Sequence, residues 1–332
     1  MQAIFAEGLT KHFTAEIRAV DGIDLSIDEG AIFGFLGANG SGKTTTVRML
    51  TTLLRPTAGR AEVLGLDVRR APGEVRRRIG VALQEVGLDD IQTGRELLLL
   101  QSRLYGVPSG DLAARVEHLL DVVDLADAAD RRVKTYSGGM KRRLDLAAAL
   151  VHRPKIVFLD EPTTGLDPIS REAIWRYVGE LNKSEGVTFF LTTQYLEEAD
   201  RLADDVAIMD AGKIVSQGSP AALKASIGTD VVTLRIGGGA DELQRAQAAV
   251  RRMEGIDDVR IVDDAIIVYV RDGSAAIGKL VLLLDEASLR AREVTLKQPT
   301  LDDVFLQKTG HHLEADGAAP LAEHAGAKRK AN

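Results

Sequence analysis

Two hydrophobic patterns run through the first part of this chain. Residues 2–8 and 20–27 alternate apolar and polar positions, which predicts strands buried on one face. AIFGFLG (31–37), KIVFLD (155–160) and VTFFLTT (187–193) are instead unbroken apolar runs, which predicts strands covered on both faces. IGVALQE (79–85) predicts a further strand, with Gln84 closing it. Helical periodicity falls at 43–53, 94–105, 110–125, 168–184 and 195–203, and DVAIMDAGKIVSQG (205–218) predicts a hairpin turning at Ala211 and Gly212. Strands and helices alternate, so the class is α/β.

The pattern changes near residue 228. VVTLRI, a helix at 240–253, DVRIV, AIIVYV, a helix at 274–286, REVTL and a helix at 300–308 follow in turn. The order β-α-β-β-α-β predicts a small α+β ferredoxin-like domain. Residues 311–332 hold no aromatic or β-branched residue apart from histidines, and are expected to be a disordered tail. The tail's adjacent histidines, His311 and His312, read as solvated residues, not as metal ligands.

Composition adds limits. The 332 residues suffice for one large domain and a smaller one, and a hydrophobic share of 45% is ordinary for a folded chain. The net charge of −7 argues against nonspecific binding to nucleic acid or anionic lipid. With no cysteine, a disulfide framework or thiolate metal site is excluded. The first residues lack the charged-then-apolar pattern of a secretory signal, and no apolar run approaches the ~20 residues needed to span a bilayer. Any membrane role is therefore expected to be borrowed from a partner.

The candidate chemistry clusters at strand ends. In Gly37-Ala-Asn-Gly-Ser-Gly-Lys-Thr44, glycines let backbone N–H groups form an anion nest at a helix N-terminus. Such a loop uses Lys43 to reach the β- and γ-phosphates and the Thr44 hydroxyl to ligate Mg²⁺. KIVFLDEP ends a strand in Asp160, suited to Mg²⁺, and Glu161, suited to polarising an attacking water. Gln84 is an amide placed to touch Mg²⁺ or that water. Ser137-Gly138-Gly139 opens a helix, and reads either as a plain cap or as a second anion site. Gly165-Leu-Asp-Pro168 is a turn into the next helix. The arginines at 69, 70, 76, 77 and 78 read as a solvated helix face, with contact to a permease or acidic lipid as the sharper option.

In this order, the segments resemble the ATP-binding subunit of an ABC (ATP-binding cassette) transporter. The resemblance covers residues 1–310 and is densest over 31–218. It implies a P-loop NTPase cassette over 1–227, with a RecA-like core, an antiparallel β subdomain and a helical subdomain at about 85–150. The C-terminal domain then spans 228–310. ATP and Mg²⁺ are the implied cofactors, with Thr44, Gln84 and Asp160 at the metal. Lys43, Gln84, Glu161 and Gln194 are the implied catalytic residues. Phe13, Val20, Gly37, Asn39, Gly40, Ser41, Gly42, Lys43, Thr44 and Thr45 are implied to bind nucleotide, Phe13 by stacking on adenine. Ser137, Gly138 and Gly139 are implied to face the γ-phosphate held by an opposite subunit, and Asp167 to couple the two sites.

Two features depart from the family's commonest pattern. Tyr136 and Met140 stand where Leu and Gln are usual, while the Ser and glycines between them are intact. Gln194 stands where a His is usual; it can donate a hydrogen bond to the γ-phosphate but cannot become cationic. A similar Gln, and an ending like TLDDVFLQKTG (300–310), occur in the family's drug-resistance branch. The implied function is ATP hydrolysis powering efflux of a hydrophobic drug, antibiotic or lipid-like compound. The implied partners are a separate membrane permease and a second copy, paired head to tail at the cytoplasmic face, with no nucleic acid. An importer ATPase, a soluble ABC ATPase acting on nucleic acid or ribosomes, and a P-loop kinase are the rival readings.

Overall fold

The computed structural model describes residues 1–14, 16–84, 87–227, 230–237 and 239–310. The tail expected over 311–332 lies outside the described residues. The alternating segments form β1 (Gln2–His12) and β2 (Arg18–Asp28), an antiparallel pair. β3 (Ile32–Leu36) is buried at every residue and leads through the Gly-rich loop into α1 (Lys43–Leu50). α1 stops short of residue 53 because Thr52 adopts a left-handed backbone, φ 66°, which a right-handed helix cannot continue. β4 (Ala58–Val63) and β5 (Leu66–Asp67) complete the first sheet in the order β2-β1-β4-β5.

α2 (Pro72–Arg78) turns its arginines to solvent, as a solvated face requires. β6 (Ile79–Ala82) is shorter than the sequence pattern, so Gln84 lies beyond the strand and does not close it. α3 (Gly94–Leu104) begins in a Thr93–Glu96 capping box, and is followed by α4 (Leu112–Val122) and α5 (Gly138–Ala149). Then come β7 (Ile156–Asp160), α6 (Pro168–Glu185), β8 (Thr188–Thr193) and α7 (Leu196–Leu202). β9 (Asp205–Asp210) and β10 (Lys213–Gly218) form the expected hairpin; Ala211 and Gly212 both have positive φ, the signature of a tight two-residue turn.

The second sheet has the order β10-β9-β3-β8-β7-β6, parallel from β9 to β6. Its two faces explain the unbroken apolar runs. Val157, Leu159, Phe189 and Leu191 pack against residues of α3 to α6 such as Leu98, Leu120, Leu144 and Val178. Ile156, Phe158 and Phe190 point the other way, against Ile4 and Val63 of the first sheet and Met49 of α1. Because β3, β8, β7 and β6 run in parallel, their carboxyl ends open on one edge. That edge is where such sheets bind ligands.

After α8 (Pro220–Ser226) come β11 (Asp230–Ile236), α9 (Ala240–Val250), β12 (Ile256–Val262), β13 (Ala265–Val270), α10 (Gly273–Glu286), β14 (Ala291–Lys297) and α11 (Leu301–Thr309). These strands form an antiparallel sheet, β12-β13-β11-β14, the ferredoxin-like order. Leu280 and Leu284 of α10 and Val250 of α9 cover it. α11 leans back onto the earlier part of the chain: Leu301, Val304 and Phe305 cluster with Tyr269, with Leu196 and Ala199 of α7, and with Leu36 of β3.

Candidate functional site

At Gly37 and Gly42 the loop after β3 is shaped by contacts that leave no room for a side chain. Gly42 has φ 112°, and a Cβ there would come within 2.2 Å of the Ala19 carbonyl oxygen. Lys43, 4% exposed, folds back so that Nζ donates to the carbonyls of Gly37 (2.8 Å) and Ala38 (3.1 Å). Burial pulls its pKa down from the ordinary lysine value, opposed by the charges of Glu161 and Asp160. The loop walls an open cavity of about 340 Å³. Asn39, Gly40, Thr44 and Thr45 line it from the loop, and Ala19, Gln84 and Glu161 from outside.

β7 delivers Asp160 and Glu161 to the same place. Asp160 Oδ1 accepts from Thr44 Oγ1 (3.2 Å) and from Thr192 Oγ1 of β8 (2.6 Å). Glu161 has φ 48°, uncommon for a residue with a side chain, and its N–H donates to Thr192 Oγ1 at 3.0 Å. This left-handed bend turns the chain off the strand. Glu161 Oε1 then lies 3.6 Å from Lys43 Nζ, while Oε2 accepts from Gln84 Nε2 (3.1 Å) and Thr164 Oγ1 (3.3 Å). The hydroxyl of Thr44 beside the Asp160 carboxylate is a hard-oxygen pair fitted to a small divalent cation. Among the described residues no group of three or more His, Cys, Asp or Glu could hold a metal.

The remaining candidates are distributed. Gln194 directly follows β8, is 9% exposed, and is not among the cavity-lining residues. Phe13 lies past the end of β1, 55% exposed, with Lys11 Nζ 5.3 Å from its ring centre. Val20 corrects the sequence reading. It is fully buried in the core between the sheets, and its neighbour Ala19 lines the cavity instead. Alternation along β2 sends successive side chains to opposite faces, so one position decides the matter.

Ser137 and Gly138 are exposed and do not line this cavity. Ser137 Oγ caps α5 by accepting from Met140 N–H at 3.2 Å. Gly139 is required by close approach: a Cβ there would lie 2.5 Å from Ser170 Oγ on α6. Asp167 caps α6, accepting from Ser170 N–H (3.0 Å) and Oγ (2.6 Å); these bonds hold its carboxyl below the usual range. The segments at 137–139 and 167–170 thus form one surface, separate from the Lys43 cavity.

Several residues escaped sequence reasoning. Thr192 ties β8 to both carboxylate positions. Glu198 of α7 is 1% exposed and accepts from Trp175 Nε1 (3.0 Å) and from Thr163 Oγ1. Arg142 and Asp145 form a buried pair on α5. Burial pushes the Asp145 carboxyl up to about 6, with Arg142 pulling the other way. Since this lies above its ordinary value of 3.8, the folded chain holds the proton more tightly than the unfolded one. The group's contribution to stability is therefore full below the ordinary value and is lost as pH rises through about 6. Asp145→Asn should flatten this fall. Thermal unfolding midpoints of both proteins across that window check it, and parallel profiles would refute it.

The ABC transporter family model matches residues 20–164, and the model for the C-terminal domain of DrrA1-3-like ATP-binding proteins matches 218–309. The daunorubicin resistance ATP-binding protein DrrA2 of Streptomyces coeruleorubidus is 42% identical, over 96% of this chain and 99% of that protein. The daunorubicin/doxorubicin resistance ATP-binding protein DrrA of Streptomyces peucetius is 43% identical, over 97% of each. Among solved structures, the dimeric bacterial ABC transporter cassette MJ0796 superposes with a TM-score of 0.60 at 25% identity, covering 65% of this chain and 98% of that one.

Proposed function

The chain belongs to the ATP-binding subunits of ABC transporters and is an ATPase, and from that premise we propose that it powers efflux of a hydrophobic drug, antibiotic or lipid-like compound through a separate permease. What supports the paired reading is the separation of two candidate anion-binding surfaces on one chain. Lys43, Thr44 and Glu161 line one cavity, with Asp160 hydrogen-bonded to Thr44, while Ser137 and Gly138 lie exposed outside it. Two copies set head to tail would bring each Ser137 surface to the other's cavity, with Asp167 at the contact. Among the described residues no helix is long and apolar enough to cross a membrane, and the reading places the chain at the cytoplasmic face through its permease. Leu100 and Leu104 of α3, together with Tyr105, are exposed apolar groups suited to a permease contact. We place the cassette at 1–227, with its helical part near 85–150, and the small domain at 228–310.

Lys43 and the loop N–H groups would hold the β- and γ-phosphates, and Thr44, Asp160 and Gln84 would hold Mg²⁺. Mg²⁺, when bound, supplies charge neutralisation on the phosphates. Glu161 accepts the proton of the attacking water, and Gln84 fixes the Glu161 carboxylate through their hydrogen bond. Gln194 would sense the γ-phosphate by hydrogen bonding alone. Phe13 is exposed enough to meet adenine. Relatives named for drug resistance do not favour the importer reading or the nucleic-acid and ribosome readings.

The test is transport. Inside-out vesicles holding the chain and its neighbouring permease should accumulate a fluorescent anthracycline when ATP is added. Lys43→Ala should cut turnover roughly 10²–10³-fold, because a buried phosphate-facing cation is lost, and accumulation should fall with it. Hydrolysis indifferent to both permease and drug, with no accumulation, would overturn the efflux reading.

A further inference from the structure

One side chain joins the Ser137 surface to the Glu161 edge within a single chain. Arg142 lies on α5, just past Ser137–Gly139, and is 5% exposed. Its Nε donates to the Pro162 carbonyl (2.9 Å), Nη2 to the Asp160 carbonyl (3.0 Å), and Nη1 to the Leu83 carbonyl. Asp160 and Pro162 flank Glu161, and Leu83 immediately precedes Gln84. One planar cation therefore grips the backbone on both sides of Glu161 and beside Gln84, whose side chains are themselves 3.1 Å apart. Asp145 Oδ2, 3.3 Å from Nη1, supplies the counter-charge.

The residue type matters. Arginine offers five donors in a rigid plane, enough for three carbonyls and a carboxylate at once. Lysine is a point charge on a flexible stem, and glutamine has only two donors. Burying a guanidinium is costly, and an apolar helix residue would fill this space more cheaply. What an apolar residue would lose is the fixed relation between α5 and the two loops.

We propose that Arg142 is a positioning residue: it sets Glu161 against Gln84 and locks both to α5. Any displacement of Ser137–Gly139 on meeting a partner's nucleotide is thereby carried to the chain's own hydrolytic edge. The proposal deepens the paired-ATPase reading above and rests on it.

The experiment uses the full-length chain with Arg142→Gln and Arg142→Lys. A fluorescent ATP analogue reads monomer binding, and steady-state kinetics read kcat and KM. Sedimentation on the Glu161→Gln background reads ATP-driven pairing, independently of turnover. Nucleotide affinity and KM should stay within about twofold, while kcat falls ~10–100-fold, the scale of a misplaced catalytic group. ATP-driven pairing should weaken about tenfold. Combined with Gln84→Ala, the kcat losses should fall short of additive by about tenfold, because both changes release the same contact. Full turnover and pairing in a folded Arg142→Gln or Arg142→Lys chain would overturn the proposal. So would additive losses that follow the folded fraction. If Arg142→Gln does not fold, Arg142→Lys carries the same cycle. Failure of the underlying reading is distinct, because the parent chain would then neither hydrolyse ATP nor pair on binding it.

Discussion

Glu161→Gln should lower kcat by about 10²–10⁴-fold while leaving ATP affinity unchanged or tighter, since a positioned general base contributes on that scale. The substitution keeps the side-chain shape and removes only the capacity to take a proton. Its neighbours sharpen the expectation. Oε1 stands 3.6 Å from Lys43 Nζ, and Oε2 accepts from both Gln84 and Thr164. A neutral amide can still accept one of these bonds, so the loop should hold. With the carboxylate gone, Lys43 loses a competitor for its charge, and the triphosphate loses a nearby like charge. Nucleotide should bind at least as well, and the ATP-bound pair should persist because hydrolysis no longer opens it. Single-turnover kinetics and size-exclusion chromatography with ATP check both halves. Near-parental turnover would remove Glu161 as the base.

Lys43 and Glu161 were legible because each lies within a short contiguous motif following a strand, whereas Thr164 carried no signal of its own. The sheet then brings the strand ends together: β3, β8 and β7 are parallel neighbours, so Lys43, Gln194 and Glu161 converge on one edge. Apolar runs over 155–160 and 187–193 announced strands covered on both faces, as Phe158 and Phe190 in the core bear out. β4 was missed because its first three residues are exposed and carry no alternation. Gln84 was placed inside a strand because the apolar run continues past Ala82. The ladder to β7 ends there, and Arg142 takes the Leu83 carbonyl instead. Arg142 itself was illegible: its carbonyl partners lie 18 to 59 residues away, and no local pattern encodes them. Val20 shows a different failure, in which the right strand was read with the wrong face toward the Lys43 cavity.

Ser137→Arg should abolish hydrolysis while leaving ATP binding to the isolated subunit within a few-fold, because Ser137 takes no part in its own Lys43 cavity. The local cost is bounded. Loss of the Oγ bond to Met140 N–H removes a helix cap worth ~0.5–2 kcal/mol, and Ser137→Ala controls for that loss alone. The larger effect is steric: a long side chain projects from the exposed surface that must close onto the opposite subunit. A mixture with Lys43→Ala subunits makes the test decisive. Each variant paired with itself has two defective sites. In a mixed pair, the intact loop of the Ser137→Arg subunit meets the intact Ser137 surface of the Lys43→Ala subunit, restoring one site. Random mixing should then recover up to about a quarter of the parental rate, as expected when each site is built from two chains. If Ser137 served its own chain's nucleotide, every site in the mixture would stay defective and no activity would return.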